Sequence, residues 1–427
     1  MKFDQSKMLL ERAYKVIPSA SQTFSKGPTQ WPDKGSPNFL TRGAGAWVWD
    51  ADNNKFLDYL MALGPIILGY NNAVVNDAIV KQLHDGVVFS QMHPLEVEVA
   101  ELLTDIIPCA EMVRFAKNGT DATSGAIRAS RAHTGRNRIA ICGYHGWQDW
   151  YIGTTTRKIG VPQSVAELSH TFIYNDFDSL SDLFDEFPGE FAAVIMEPMG
   201  VEEPTNEFLK KVRKICTVNS TLLIFDEIVS GFRLSLGGAQ KIYGVKPDLA
   251  CYGKAIANGL PLSAIVGPRH IMEIFDDIFF SGTFGGETLS LAACKATISV
   301  LQDENGIEKI EIHGAALKSG LETIITELGL NSFVGLLGHP SRSVLYFPNT
   351  NENENLLRRT FLMQQCIKRG LLYFCSHIPC LAHGKSELDF SLSVLSAALS
   401  EFAKTVEQDN FIEALDGSPV TSIFRKA

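Results

Sequence analysis

From about Met112 onward, short apolar runs alternate with polar loops and helix-like stretches. MVRFA meets the polar loop KNGTD, and ATSGAIRASRAH follows with its small and apolar positions at helical spacing. RIAIC, FAAVIM, TLLIF, DLACY and LSAIVG are further runs of the same kind. Continuous apolar strands between helices predict a mostly parallel sheet, because only a sheet covered on both faces keeps every such side chain dry. Ahead of this region, residues 19–45 are rich in Gly, Pro and Ser and read as an extended arm. AWVWDADNNKFLDYL then predicts a hairpin with Asp-Asn-Asn in its turn. Residues 76–86 and 94–107 carry helical spacing. Towards the end the alternation changes, with VLYFP and LLYFC as strands among helices. The expected division is an N-terminal arm and hairpin over 1–62, a large α/β domain over 63–312, and a small C-terminal α+β domain over 313–427.

A chain of 427 residues is too long for one simple core, which agrees with that division. Its 45% hydrophobic and 20% charged residues are those of a soluble globular enzyme. The formal charge of −10 argues against a nucleic-acid partner, whose binding needs clustered Lys and Arg. No run approaches the roughly 18–20 apolar residues that span a bilayer, so no membrane partner is expected. The opening MKFDQSKMLLERAYKVIP is polar and amphipathic, without the apolar run of a signal peptide. Eight cysteines stand scattered, none as CxxC, so neither a metal site nor a disulfide framework is expected, and a reducing cytoplasm suits them.

The strongest chemical signal is TLLIFDEIVSGFR followed by PDLACYGKAIANGLPLSAIVG. A carboxylate at the end of a buried strand is costly unless something positive meets it. For Asp226, a protonated pyridine nitrogen would serve, and pyridoxal phosphate carries one. Lys254 follows 28 residues later, after the next strand in order. Burial pushes a lysine towards the neutral amine that Schiff-base chemistry needs. Taken singly, a strand-terminal Asp-Glu is also how a helix cap looks, and Lys254 alone reads as a solvated lysine. The turn Asn118-Gly119-Thr120-Asp121 before a helix suits a phosphate dianion: glycine lets the backbone approach, and the helix presents its positive end. Ser281-Gly282-Thr283 is a second phosphate candidate. Tyr144, after RIAIC, would stack on a planar ring, and Ile228 would pack its opposite face. Glu197 ends FAAVIM, where it either reaches the phenolic side of the ring or caps a turn.

These residues resemble class III pyridoxal-phosphate aminotransferases, in particular the glutamate-1-semialdehyde aminomutase-like group. The resemblance runs from about Ile17 to about His383 through GAWVWDADNNKFLDY, LGPIILGY, GYHG, AAVIMEP, LLIFDEIVSGFR, PDLACYGKAIANGLPLSAIVG and SGTFGGETLSLAA. It implies the fold of fold-type I transferases. It implies Lys254 as the Schiff-base lysine and proton shuttle, and Asp226 on the pyridine nitrogen. It implies Gly119 and Thr120 on the phosphate, Tyr144 and Ile228 on the ring faces, and a homodimer in which Thr283 reaches the neighbouring subunit's phosphate. The family loop often reads Ser-Gly-Thr-Glu-Ala, whereas here it is Asn118-Gly119-Thr120-Asp121-Ala122, and Asn118 keeps a hydrogen-bond donor.

The stretch TTTRKIGVPQSVAELSH is shorter than the mobile loop of the aminomutases, and CSHIPCLAH lacks their glutamate. Both departures imply an aminotransferase that moves an amino group from a small-molecule donor to a keto or aldehyde acceptor. The competing expectations are the aminomutase itself, a decarboxylase or epimerase on the same scaffold, and a non-catalytic protein that binds pyridoxal phosphate. His93, Trp147, Arg342 and His377 are the remaining candidates to line a substrate pocket, each with a structural role open beside it.

Overall fold

The computed structural model describes residues 1–205 and 207–423. In chain order its strands are β1 (Leu40–Ala44), β2 (Trp47–Asp50), β3 (Lys55–Asp58), β4 (Met112–Ala116), β5 (Arg138–Cys142), β6 (Ser169–Thr171), β7 (Phe191–Met196), β8 (Leu222–Asp226), β9 (Leu249–Tyr252), β10 (Ser263–Gly267), β11 (Gly335–His339), β12 (Arg342–Tyr346), β13 (Leu371–Leu372) and β14 (Ser376–His377). Two compact units divide them. One holds Gly64–Ile66 and Ala73–Ile307; the other holds Met1–Leu63, Ile67–Asn72 and, of the described residues, 308–423.

The first unit is built on a seven-stranded sheet in the order β4-β10-β9-β8-β7-β5-β6. β6, β5, β7, β8 and β9 run parallel to one another, and β10 is antiparallel to both β9 and β4. This is the mostly parallel α/β sheet that the apolar runs predict. Every residue of β7, β8 and β9 is buried, as strands covered on both faces require. Burying one such Ile or Leu contributes roughly 1.5–3 kcal/mol. The chain leaves β5 towards β6 on one side and returns as β7 on the other, so the strand order reverses between β5 and β7. Ligands of open α/β sheets sit outside the carboxyl ends of the strands at such a reversal.

Helix Gly119–Thr134 lies against this sheet because its inward face is small: Ala122, Ala126 and Ala129 are fully buried with Ile127, in one core with Ile195, Ile224 and Ile265. Asn118 and Asp121 start the helix through an Asn118 N–H bond to Asp121 Oδ2 at 2.8 Å. Gly135, at φ 68°, stops it.

In the other unit, β2 and β3 form the expected hairpin. Its turn does more than reverse the chain: Asp52 accepts the Gln5 and Ser6 N–H groups and so caps the helix Asp4–Val16. β13, from the LLYFC run, pairs in parallel with β3, so the hairpin and the C-terminal stretch share a sheet. β11, β12 and β14 make a second small sheet. Among the described residues, no helix is long and apolar enough to cross a membrane.

Candidate active site

Asp226 is the last residue of β8 and is 4% exposed, an expensive place for a carboxylate. One oxygen accepts the Ile228 N–H at 3.1 Å. The other lies 2.7 Å from Nδ1 of His145, which is itself buried. Nε2 of the same imidazole lies 3.0 Å from the Cys142 carbonyl oxygen. A carbonyl only accepts, so Nε2 carries a hydrogen and Nδ1 shares one proton with Asp226. His145 comes from the loop after β5 and Asp226 from β8, both at the carboxyl edge of the sheet. His145 sits within GYHG, yet sequence reasoning gave it no role. The signal was Asp226 itself, whose need for a positive partner could have been sought among buried strand-end histidines.

Glu227 behaves differently from its neighbour. It is fully buried and accepts from Ser230 Oγ at 2.5 Å, Ala239 N at 2.9 Å and Gln240 N at 3.0 Å. Burial pushes its pKa up to about 7, against these three hydrogen bonds. It is the structural half of the Asp-Glu pair, and it holds the turn at 238–240.

Lys254 stands just after β9, the parallel neighbour of β8, with Asp226 opposite Cys251 in the register. The lysine has φ 45°, a left-handed conformation that a side chain makes costly by about 1–3 kcal/mol. Ile228 lies close to Gly253 and, on its other side, to Gly119: a Cβ on Gly119 would stand 2.5 Å from Ile228 Cδ1. Ile228, the Gly119 turn and the Gly253-Lys254 turn are thereby brought together. Ser263 Oγ donates to the Asn118 carbonyl at 2.8 Å and fastens the same turn to β10.

At the start of helix Gly119–Thr134, the first N–H groups have no acceptor within the helix and point outward from its end. The Thr120 hydroxyl accepts the Trp147 N–H at 3.3 Å and keeps its own O–H to donate, and a side chain at Gly146 would run into it. Asn118 Nδ2 donates to Asp121 at 3.3 Å. Tyr144 is half-exposed and meets Tyr151 edge-on at 5.4 Å. Burial, with Asp226 adding to it, raises its phenol pKa above the usual value. Glu197 follows β7 and accepts the Tyr144 N–H at 3.3 Å.

Thr283 is exposed on a loop beside an open cavity of about 480 Å³, together with Lys117, Asp121, Arg128 and Gln148. Of the substrate-pocket candidates, His93 caps helix Pro94–Ile106 by accepting the Leu95 N–H. His377 is buried between Ser343 Oγ at 2.9 Å and Tyr373 OH at 2.8 Å. Both therefore have structural roles. Trp147 is exposed near Thr120, and Arg342 lies in β12.

The Aminotransferase class-III family model matches residues 31–331. A 3-aminobutyryl-CoA aminotransferase of Cloacimonas acidaminovorans (strain Evry) is 33% identical over 415 residues, covering 95% of this chain and 99% of its own. A glutamate-1-semialdehyde 2,1-aminomutase of Acetivibrio thermocellus is 40% identical over 346 residues, covering 76% of this chain and 80% of its own. Among solved structures, the PLP internal aldimine form of the Sphingopyxis sp. MTA144 FumI protein has a TM-score of 0.88 at 29% identity, over 97% of this chain and 98% of that one.

Proposed function

The chain belongs to the class-III aminotransferases and works with pyridoxal phosphate, and from that premise we propose that Lys254 holds the cofactor through its amine while Asp226 faces the ring nitrogen. The observation that carries this reading is the placement of the two residues after neighbouring parallel strands, with Ile228 lodged between Gly119 and Gly253. The side chains suit the group: a buried carboxylate for a pyridinium, an amine, a helix start for a phosphate, and a flat apolar floor. When bound, pyridoxal phosphate supplies a carbon that exchanges amine partners and a ring that takes up electron density.

The chain's own residues do the rest. The Gly119 and Thr120 N–H groups bind the phosphate, and the narrow gap at Gly119 lets them approach it. Ile228 and Tyr144 hold the two faces of the ring. His145, 2.7 Å from Asp226, fixes the orientation of its carboxylate. Lys254 Nζ takes the proton from the substrate carbon that bears nitrogen and returns one on the other side of the transfer. A positioned base of this kind contributes about 10²–10⁴ in rate. Glu197, set at the strand reversal beside Tyr144, borders the phenolic side of the ring.

The substrates are a small-molecule amino donor and a separate carbonyl acceptor. The end-to-end match to the 3-aminobutyryl-CoA enzyme makes a β-amino acyl thioester the first donor to assay. The 40% identity to an aminomutase supports a second reading, rearrangement of one amino aldehyde without an outside acceptor. Omitting the acceptor separates the two: an aminotransferase stops after one turnover of bound cofactor, and an aminomutase continues. For the site, Lys254→Ala should lose turnover and the absorbance band of the lysine-bound cofactor, and a variant that still transaminates overturns the assignment.

The working form in this reading is a homodimer in the cytoplasm. Exposed Phe279 and Phe284 flank Thr283, and Met92 lies beside the adjoining surface, so a second subunit would cover apolar groups otherwise left in water. All eight cysteines are buried and unpaired, as a reducing compartment leaves them. Thr283→Ala should weaken cofactor binding in the dimer, and sedimentation of a fully active monomer would refute the shared site.

A further inference from the structure

Helix Glu352–Ile367 carries one cation whose surroundings are unusual. The Arg359 guanidinium carbon lies 4.0 Å from the centre of the Phe374 ring. Phe374 leans in turn on Trp31, at 5.2 Å and 53°, and Trp31 is buried. The ring face therefore backs the guanidinium. Nε is shut off from solvent and meets no acceptor. Among the described residues, no carboxylate stands within ion-pair distance of Arg359, and no acceptor meets its terminal nitrogens.

The residues one turn away on the helix, Asn355, Leu356, Leu362 and Met363, carry no negative charge. Lys368, farther along the same stretch, does have its counter-ion, Asp416 at 2.7 Å. The polar groups beside Arg359 are already engaged: Thr360 Oγ1 accepts the Val420 N–H, and Gln364 is bonded to Ala414 O and Asp416 N. Burial lowers the Arg359 pKa, and the thiol of Cys375 acts against that shift; no carboxylate contributes. A guanidinium remains charged at any working pH, so a partly desolvated one without an anion is a site waiting for charge.

We propose that Arg359 is an oxyanion-binding site in which the forked terminal nitrogens take the carboxylate or phosphate group of a small anion while the Phe374 ring backs the guanidinium. An arginine is suited to this because its fork matches two oxygens at once, whereas a lysine offers a point charge.

The test uses enzyme saturated with pyridoxal phosphate and freed of excess, so that the cofactor's own phosphate site is filled. Inorganic phosphate and acetate are titrated calorimetrically at constant ionic strength balanced with chloride. The wild type should bind at least one of them saturably. Binding of phosphate alone points to a phosphate ester as the natural ligand, and binding of both points to any oxyanion, a carboxylate included. Arg359→Gln should weaken the affinity at least about tenfold while melting within a few degrees of wild type. Arg359→Lys, which keeps the charge should the glutamine variant fold poorly, should weaken it at least about threefold. Absence of saturable binding in the wild type, or unchanged affinity in Arg359→Lys, overturns the proposal and leaves Arg359 as a packing contact on Phe374.

Discussion

Replacing His145 with leucine removes one member of a buried pair and leaves Asp226 facing an alkyl chain. The two side chains are 0% and 4% exposed and 2.7 Å apart, so water cannot readily take the place of the imidazole. Breaking such a pair from one side costs about 3–5 kcal/mol. For units of this size, each kcal/mol lowers the melting temperature by about 2–4 °C. The apo variant should therefore melt roughly 6–20 °C below the apo wild type. The loaded enzyme should behave otherwise. A protonated ring nitrogen at Asp226 would supply the positive partner that the variant lacks, so saturating pyridoxal phosphate should recover a large part of the deficit. His145→Gln, which can still donate one hydrogen bond, should fall between the two. The assay is calorimetric melting of each protein with and without cofactor. An equal deficit in both states would mean that Asp226 does not face the ring nitrogen, and no deficit in either would refute the energetic reading of the pair.

Gly119→Ala places a Cβ 2.5 Å from Ile228 Cδ1, an overpacking worth about 1–3 kcal/mol, and should weaken cofactor affinity more than it lowers the apo melting point; titration by absorbance decides, and unchanged affinity would remove Gly119 from the phosphate turn. Burial pushes the pKa values of His313, His377 and His383 down to about 4, 3 and 3 from an ordinary 6.5. Below pH 6.5 the unfolded chain then binds more protons than the folded one, so the stability they contribute is full above that pH and falls as pH drops towards 3–4, by up to about 1.4 kcal/mol per unit per histidine. Urea midpoints of the unit containing them should decline from pH 6.5 to 5, and His377→Gln should flatten the slope; a level wild-type curve would contradict the buried neutral state. Glu227 acts in the opposite direction, since its pKa is raised to about 7: the folded state holds the extra proton, and its contribution declines as pH rises from about 4.5 to 7. Comparing Glu227→Gln with wild type at pH 5 and 8 tests this, because the variant should lose that dependence.

The sheet was legible in the chain because β5, β7, β8, β9 and β10 each carry a continuous apolar run bounded by polar turns, and burial on both faces of the central strands β7, β8 and β9 leaves no other way to write them. Asp226, Lys254 and Gly119 stood out in the chain for a related reason: polar or conformationally special residues at the ends of such runs are anomalies of the local pattern. What the sequence did not disclose depended on partners distant along the chain. His145 and Asp226 are 81 residues apart, and no local pattern marks them as a pair. The division of labour between Asp226 and Glu227 follows from where one residue of further chain points, the first to the sheet edge and the second onto the turn at 238–240. The contact of the Thr120 hydroxyl with the Trp147 N–H, 27 residues on, is also set by the fold. The pairing of β13 with β3 likewise joins residues more than 300 apart. Periodicity and composition thus determined which segments are buried and which residues are anomalous there. Tertiary structure alone decided which anomaly meets which, because hydrogen bonds and ion pairs reach only a few ångströms and depend on neighbours that the linear order does not specify.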